Sequence, residues 1–167
     1  TLESIPVIGT TADFSSVRDY AVAEGRYFTA DEDDRKAKVV ILGSGIATDL
    51  FGTESAIGQT ITVDSTKLTV IGVMETKGLV ADVDYDGRVY LPINLVFQKF
   101  MTASPMGTDA VRTIYLKSES QEQIDSIIAQ TTALLAARHD VDPSKPDFTV
   151  QTQQDIIATQ EATTAAF

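Results

Sequence analysis

The residues with the clearest chemical potential are acids at alternate positions. Asp82-Val83-Asp84-Tyr85-Asp86-Gly87 matches the opening D-x-D-x-D-G of a calcium loop, in which alternating carboxylates wrap a hard cation around a glycine turn. Such a loop needs a bidentate glutamate at its twelfth position. That position is Ile93 here, and the flanks read as strands, so the segment reads as a solvated turn and no metal ligand is assigned. Asp31-Glu32-Asp33-Asp34 has no histidine partner and reads as a charged surface loop. Gly43-Ser44-Gly45, between an apolar strand and a helix, has the glycines that let backbone N–H groups approach a phosphate. The third glycine of G-x-G-x-x-G is replaced by Thr48, and no G-x-x-x-x-G-K-[ST] loop occurs, so no nucleotide or other cofactor is expected. His139 is the one histidine, beside Arg138 at a helix end, and there is no G-x-S-x-G nucleophile turn. With no cysteine in the chain, thiolate nucleophiles and cysteine-based zinc sites are excluded. The expected site inventory is therefore catalytic none, cofactor-binding none and metal none.

Composition narrows the class further. The 167 residues suit one ordinary domain or two small ones, and 43% hydrophobic with 22% charged residues is a globular balance. Thirteen Lys and Arg against 24 Asp and Glu give a net charge of −11, which repels a phosphate backbone and excludes nucleic acid as a general partner. The longest uninterrupted apolar run is five residues, Ala133 to Ala137, against the roughly 20 needed to span a bilayer. The chain starts at Thr1 without a methionine and ends at Phe167 within a helical pattern, so both ends read as cuts in a longer protein.

The elements that would position these residues follow from periodicity. Strands are expected at Ile5 to Ile8, Val39 to Leu42, Thr60 to Val63, Lys67 to Met74 and Arg88 to Ile93. Val39 to Leu42 is apolar throughout and should be buried on both faces at the centre of its sheet. Asp64-Ser65 reads as a hairpin turn, and Gly78 to Gly87 as a loop. Ser15 and Ser16 suit a short helix, Ser44 is expected to cap a helix anchored by Leu50 and Phe51 and stopped at Gly52, and Asn94 to cap another. Thr102 to Asp109 reads as a subdomain boundary. Beyond it the pattern is strand (Val111 to Lys117), long helix with a Ser120/Gln123 capping box, and strand (Phe148 to Thr152), a β-α-β unit, followed by a helix from Gln153 to Phe167.

Read in order, the motifs resemble the periplasmic core domain of MacB-like, FtsX-type ABC transporter permeases. The residues that carry the likeness are Val7 to Thr10, Gly25-Arg26-Tyr27-Phe28-Thr29 with Asp31, Val39 to Gly43, Leu50-Phe51-Gly52, Ile57-Gly58-Gln59, Val70 to Val73, Val89 to Pro92, Arg138-His139 and Asp147-Phe148. The resemblance implies an α+β fold: a porter-like β-α-β half-module plus an inserted mixed α/β subdomain. Residues 1–10 and 105–167 would form the porter-like part, incomplete at its N-terminus, and 11–104 the insert. It also implies an extracytoplasmic domain at the plasma membrane, without catalysis of its own. ATP would be hydrolysed by a cytoplasmic nucleotide-binding domain or subunit, with a membrane-fusion adaptor protein and a second permease copy as partners. An extracytoplasmic ligand-sensing domain, with a pocket between two subdomains, is the alternative.

Overall fold

The computed structural model describes residues 4–80, 82–101 and 110–158. By internal contact the chain divides into two units, Thr1–Leu116 and Lys117–Phe167. The expected boundary at Thr102 to Asp109 lies outside the described residues.

The first unit is built on a mixed six-stranded sheet. Its elements are β1 (Val7–Thr10), α1 (Phe14–Val17), β2 (Val22–Gly25), α2 (Ala30–Asp34), β3 (Val39–Leu42), α3 (Ser44–Phe51), β4 (Thr60–Val63), β5 (Thr66–Met74), a small hairpin of β6 (Leu79–Val80) and β7 (Val83–Asp84), β8 (Val89–Pro92) and α4 (Ile93–Lys99). The strand order is β1-β8-β3-β5-β2, with β4 also paired to β5. Strand β1 runs parallel to β8 and β3 parallel to β5, while β3–β8, β2–β5 and β4–β5 are antiparallel.

Side-chain alternation on the two central strands explains why this sheet holds together. Val40 and Leu42 of β3, with Val89 and Leu91 of β8, join Ile46, Leu68, Val70 and Leu95 in one apolar cluster. The intervening Ile41 and Tyr90 join Tyr20, Phe28, Met74 and Tyr85 in a second. Successive residues of a strand point to opposite faces, so these strands are covered on both sides, as the unbroken Val39 to Leu42 run requires. Each fully buried large side chain contributes about 1.5–3 kcal/mol, and these clusters dominate the unit's stability. The turn between β4 and β5 is Asp64-Ser65, both at positive φ (42° and 66°), the conformation that fits a two-residue hairpin.

Several local expectations are corrected. The acidic stretch Asp31 to Asp34 is not a solvated loop but lies in α2, opened by a capping box in which the Thr29 hydroxyl accepts from the Glu32 N–H and the Glu32 carboxylate accepts from the Thr29 N–H. Asp33 is buried, 7% exposed, and its Oδ1 accepts from the Asn94 N–H at 3.0 Å. Asp33 thus satisfies one of the orphan amides opening α4, the role expected of Asn94 itself. Helix α3 is capped at Gly43 without a side-chain bond from Ser44, and Ile46 is its buried anchor; Leu50 is 37% exposed and Phe51 only partly buried. The Gly78 to Gly87 segment contains the β6–β7 hairpin.

Glu32 also forms a two-pronged ion pair with Arg26, at 2.7 and 2.8 Å. The Arg26 bonds, aided by the Thr29 amide, hold the Glu32 carboxyl at about 2, down from its ordinary 4.5. A pKa lower in the folded than in the unfolded state stabilises the fold fully above pH 4.5, and the contribution is lost as pH falls from there through about 2. Because the Arg26 side chain is 55% exposed, solvent screening trims the contribution to about 1–2 kcal/mol. Glu32→Gln should therefore melt lower than the parent at neutral pH, and thermal melts from pH 7 to pH 2 should show the gap closing with acidification.

The second unit is simpler. A 3-10 turn (Gln121–Gln123) leads into α5 (Ile124–His139), which ends where Asp140 takes the left-handed conformation. Ser120 precedes the turn without a side-chain cap, so the expected capping box with Gln123 does not form; the Ser118 hydroxyl donates to the Ser120 carbonyl instead. Neither Val111 to Lys117 nor Phe148 to Thr152 is a strand, because among the described residues no neighbouring backbone offers either of them a ladder. Residues 153–158 are helical, opened by reciprocal bonds between Thr152 and Asp155; residues 159–167 lie outside the described residues.

Candidate functional site

The structure gives Asp84 and Asp86 of the acidic loop, and the glycine-rich helix start, partners within the fold. The Asp84 carboxylate accepts from the Asp86 and Gly87 amides, and both oxygens of Asp86 accept from the Lys77 and Gly78 amides at 2.9 Å. Those oxygens build turns. The helix start at Gly43-Ser44-Gly45 is occupied by the same loop: the Ile46 N–H donates to the Asp86 carbonyl at 3.2 Å and the Gly43 N–H to the Arg88 carbonyl at 2.9 Å. A phosphate would have to displace that backbone. Among the described residues no group of three or more His, Asp or Glu side chains could hold a metal ion.

His139 and Asp147, far from these loops in sequence, come together in the second unit. The His139 Nδ1 lies 2.8 Å from the Asp147 carboxylate, with the Phe148 ring edge-on to the imidazole at 5.7 Å. The pair fastens the loop after α5 to the helix end. Its exposure, 42% and 54% for the two side chains, marks a surface clasp.

What the fold assembles, and sequence reasoning missed, is a basic and aromatic cluster at the base of the β6–β7 hairpin. Tyr85 is 7% exposed and closes the hairpin base through its N–H to the Gly78 carbonyl. Arg18 donates to the Tyr85 hydroxyl at 3.0 Å and lies over the Tyr115 ring at 4.4 Å. The Lys77 ammonium sits 5.1 Å from the Tyr85 ring centre and 4.9 Å from that of Tyr20, and the Arg88 guanidinium is 5.1 Å from Tyr85. Each such contact is worth about 0.5–1 kcal/mol. Burial raises the Tyr20 hydroxyl to about 12 and the Tyr90 hydroxyl likewise upward, so both stay protonated; both donate to the Tyr85 carbonyl. Beyond this base Leu79 and Val80 are exposed, 70% and 41%. The only sequence cue was Lys77 and Arg88 flanking Tyr85, because Arg18 joins them through the fold alone.

Comparison with known proteins then gives the arrangement its context. Residues 1–134 match the family described as MacB-like periplasmic core domain. The chain is 32% identical over 143 residues to a macrolide export ATP-binding/permease protein MacB of Wolinella succinogenes, covering 82% of this chain and 21% of that protein. It is 33% identical over 99 residues to the pyoverdine export ATP-binding/permease protein PvdT of Pseudomonas aeruginosa, covering 58% of this chain and 15% of the relative. The chain spans about a fifth to a quarter of the length of the MacB relatives it matches. Its fold is similar to the periplasmic region of MacB from Actinobacillus actinomycetemcomitans, with a TM-score of 0.72, 22% identity and coverage of 96% of this chain and 67% of that one. It is also similar to the extracellular domain of the ABC-type transporter YknZ from Gram-positive bacteria, with a TM-score of 0.64, 24% identity and coverage of 83% and 67%.

Proposed function

Because the chain belongs to the MacB-like periplasmic core domain family, we propose that it is the extracytoplasmic part of an ABC transporter permease at the plasma membrane, where it passes on motion driven by ATP hydrolysis elsewhere in the transporter. The observation that carries this reading is the family match over residues 1–134. Among the described residues no helix is long and apolar enough to cross a membrane. The side chains with chemical potential cap helices and build turns, which fits a mechanical and docking role without catalysis here. Nucleotide is bound and hydrolysed by a cytoplasmic domain or subunit, and a second permease copy and a membrane-fusion adaptor are the partners. Residues 1–10 and 105–167 are assigned to a porter-like part and 11–104 to the inserted subdomain, with β1 reaching the insert's sheet beside β8.

The test uses the full transporter carrying this domain, reconstituted in vesicles. Excising residues 1–167 should abolish export of a macrolide while the cytoplasmic domain still hydrolyses ATP. Export that survives the excision would overturn the proposal.

A further inference from the structure

The last residues of the first unit, 110–116, run outside its sheet: among the described residues no strand pairs with them. Both sides of their period-two pattern are exposed, Val111 on one and Ile114 and Leu116 on the other, so no core holds the segment either. Tyr115 ties it to α1. Its ring meets Phe14 edge-on at 6.0 Å, and the Arg18 guanidinium lies over it at 4.4 Å. Phe14 is a firm base, its ring 5.5 Å from that of the fully buried Tyr90. Arg18 in turn donates to the Tyr85 hydroxyl at 3.0 Å, and the Tyr85 carbonyl accepts from the Tyr20 and Tyr90 hydroxyls. One guanidinium thus joins α1, the hairpin base and the segment 110–116, which the sequence keeps far apart.

From this arrangement we infer that Arg18 and Tyr115 form a latch that positions the segment 110–116 on α1, and that displacement of the segment reaches the sheet through Arg18 and Tyr85. Two features distinguish a latch from fixed packing. Tyr115 remains 44% exposed, so its ring can lift without opening the core. The Arg18 Nε is buried with no hydrogen-bond partner among the described residues, which is a cost of the closed arrangement. Lifting the ring from the guanidinium returns that group to water, which offsets part of the lost cation–π attraction and brings the two arrangements close in free energy. Coupling needs an element with two arrangements, and this contact supplies one. The inference deepens the passage of motion proposed above and rests on it.

The chain has no cysteine, so spin labels go only where they are placed: Thr62→Cys on β4 and Thr113→Cys in the segment, both exposed and both within the first unit. Pulsed dipolar spectroscopy of the labelled 167-residue chain should give one narrow distance distribution. Tyr115→Ala and Arg18→Met should each lose the narrow peak, whereas Tyr115→Phe, which keeps the ring face, should retain it. Unchanged melting curves verify the variants; should Arg18→Met melt lower, the half-exposed Tyr115→Ala site carries the test. A broad distribution in the parent, a narrow one in Tyr115→Ala, or Tyr115→Phe as broad as Tyr115→Ala would each overturn the inference. In the full transporter, Tyr115→Ala should lower macrolide export per ATP hydrolysed about fivefold, and Tyr115→Phe should leave it unchanged. Unchanged export with a latch that the labels show open would overturn its part in passing on motion and leave the transport reading intact, whereas failure of the excision experiment strikes that reading alone.

Discussion

Tyr90→Ala is expected to destabilise the first unit by about 3–5 kcal/mol, the range for removing a fully buried aromatic ring. Tyr90 sits on β8 with no exposed surface, its ring 5.5 Å from Phe14 and 6.0 Å from Tyr20. Truncation leaves a cavity where α1 and the stretch carrying Tyr20 pack on the sheet, and it strips the Tyr85 carbonyl of a donor. Tyr90→Phe separates the two effects: the ring stays, and only the 3.3 Å bond to the Tyr85 carbonyl is lost, so about 1 kcal/mol or less should go. Urea denaturation of parent and variants followed by circular dichroism checks both. A Tyr90→Ala protein as stable as the parent would mean that the aromatic cluster does not hold α1 to the sheet.

How much of this fold was legible depended on whether the deciding interactions were local. The β4–β5 hairpin could be read because Asp64-Ser65 and the flanking alternation are adjacent in sequence, and β3 because four apolar residues in a row leave no polar face. The Thr29-x-x-Glu32 spacing of a capping box was also present, but four consecutive acids read more simply as a solvated run. Nothing local announced that Asp33 would turn inward, since its partner amide is Asn94, 61 residues away. Val111 to Lys117 fails for the opposite reason. Its period-two pattern says which side chains share a face, but a strand exists only with a neighbour, and no pattern within the segment supplies one. The hairpin-base cluster was illegible for the reason Asp33 was: Arg18 reaches Tyr85, 67 residues on, only after α1 has packed on the aromatic face.

The second large effect is expected at Gly43, where β3 hands over to α3. Its backbone, at φ −64° and ψ 152°, is open to any residue, so a substitution there meets no conformational penalty. Space is what forbids it. A Cβ at Gly43 would lie 2.9 Å from the Arg88 carbonyl oxygen and closer still to that of Asp86. Both obstacles are backbone, so a methyl group forces the 86–88 loop away from the helix start. The bonds from the Gly43 and Ile46 amides to that loop would stretch, and the Asp86 carboxylate, which holds the Lys77 and Gly78 amides, would move with them. The cost of Gly43→Ala should reach about 3 kcal/mol, the upper range for forced overpacking. Gly52→Ala is the control: Gly52 has a φ of 62° and nothing near its missing Cβ, so it should lose only the strain of a positive φ, about 1–3 kcal/mol, with no displaced backbone. Amide hydrogen exchange distinguishes the mechanisms, because Gly43→Ala should speed exchange at Lys77, Gly78 and Ile46 together while Gly52→Ala leaves all three slow. Equal behaviour of the two variants would mean that the hairpin base is not fastened through the start of α3.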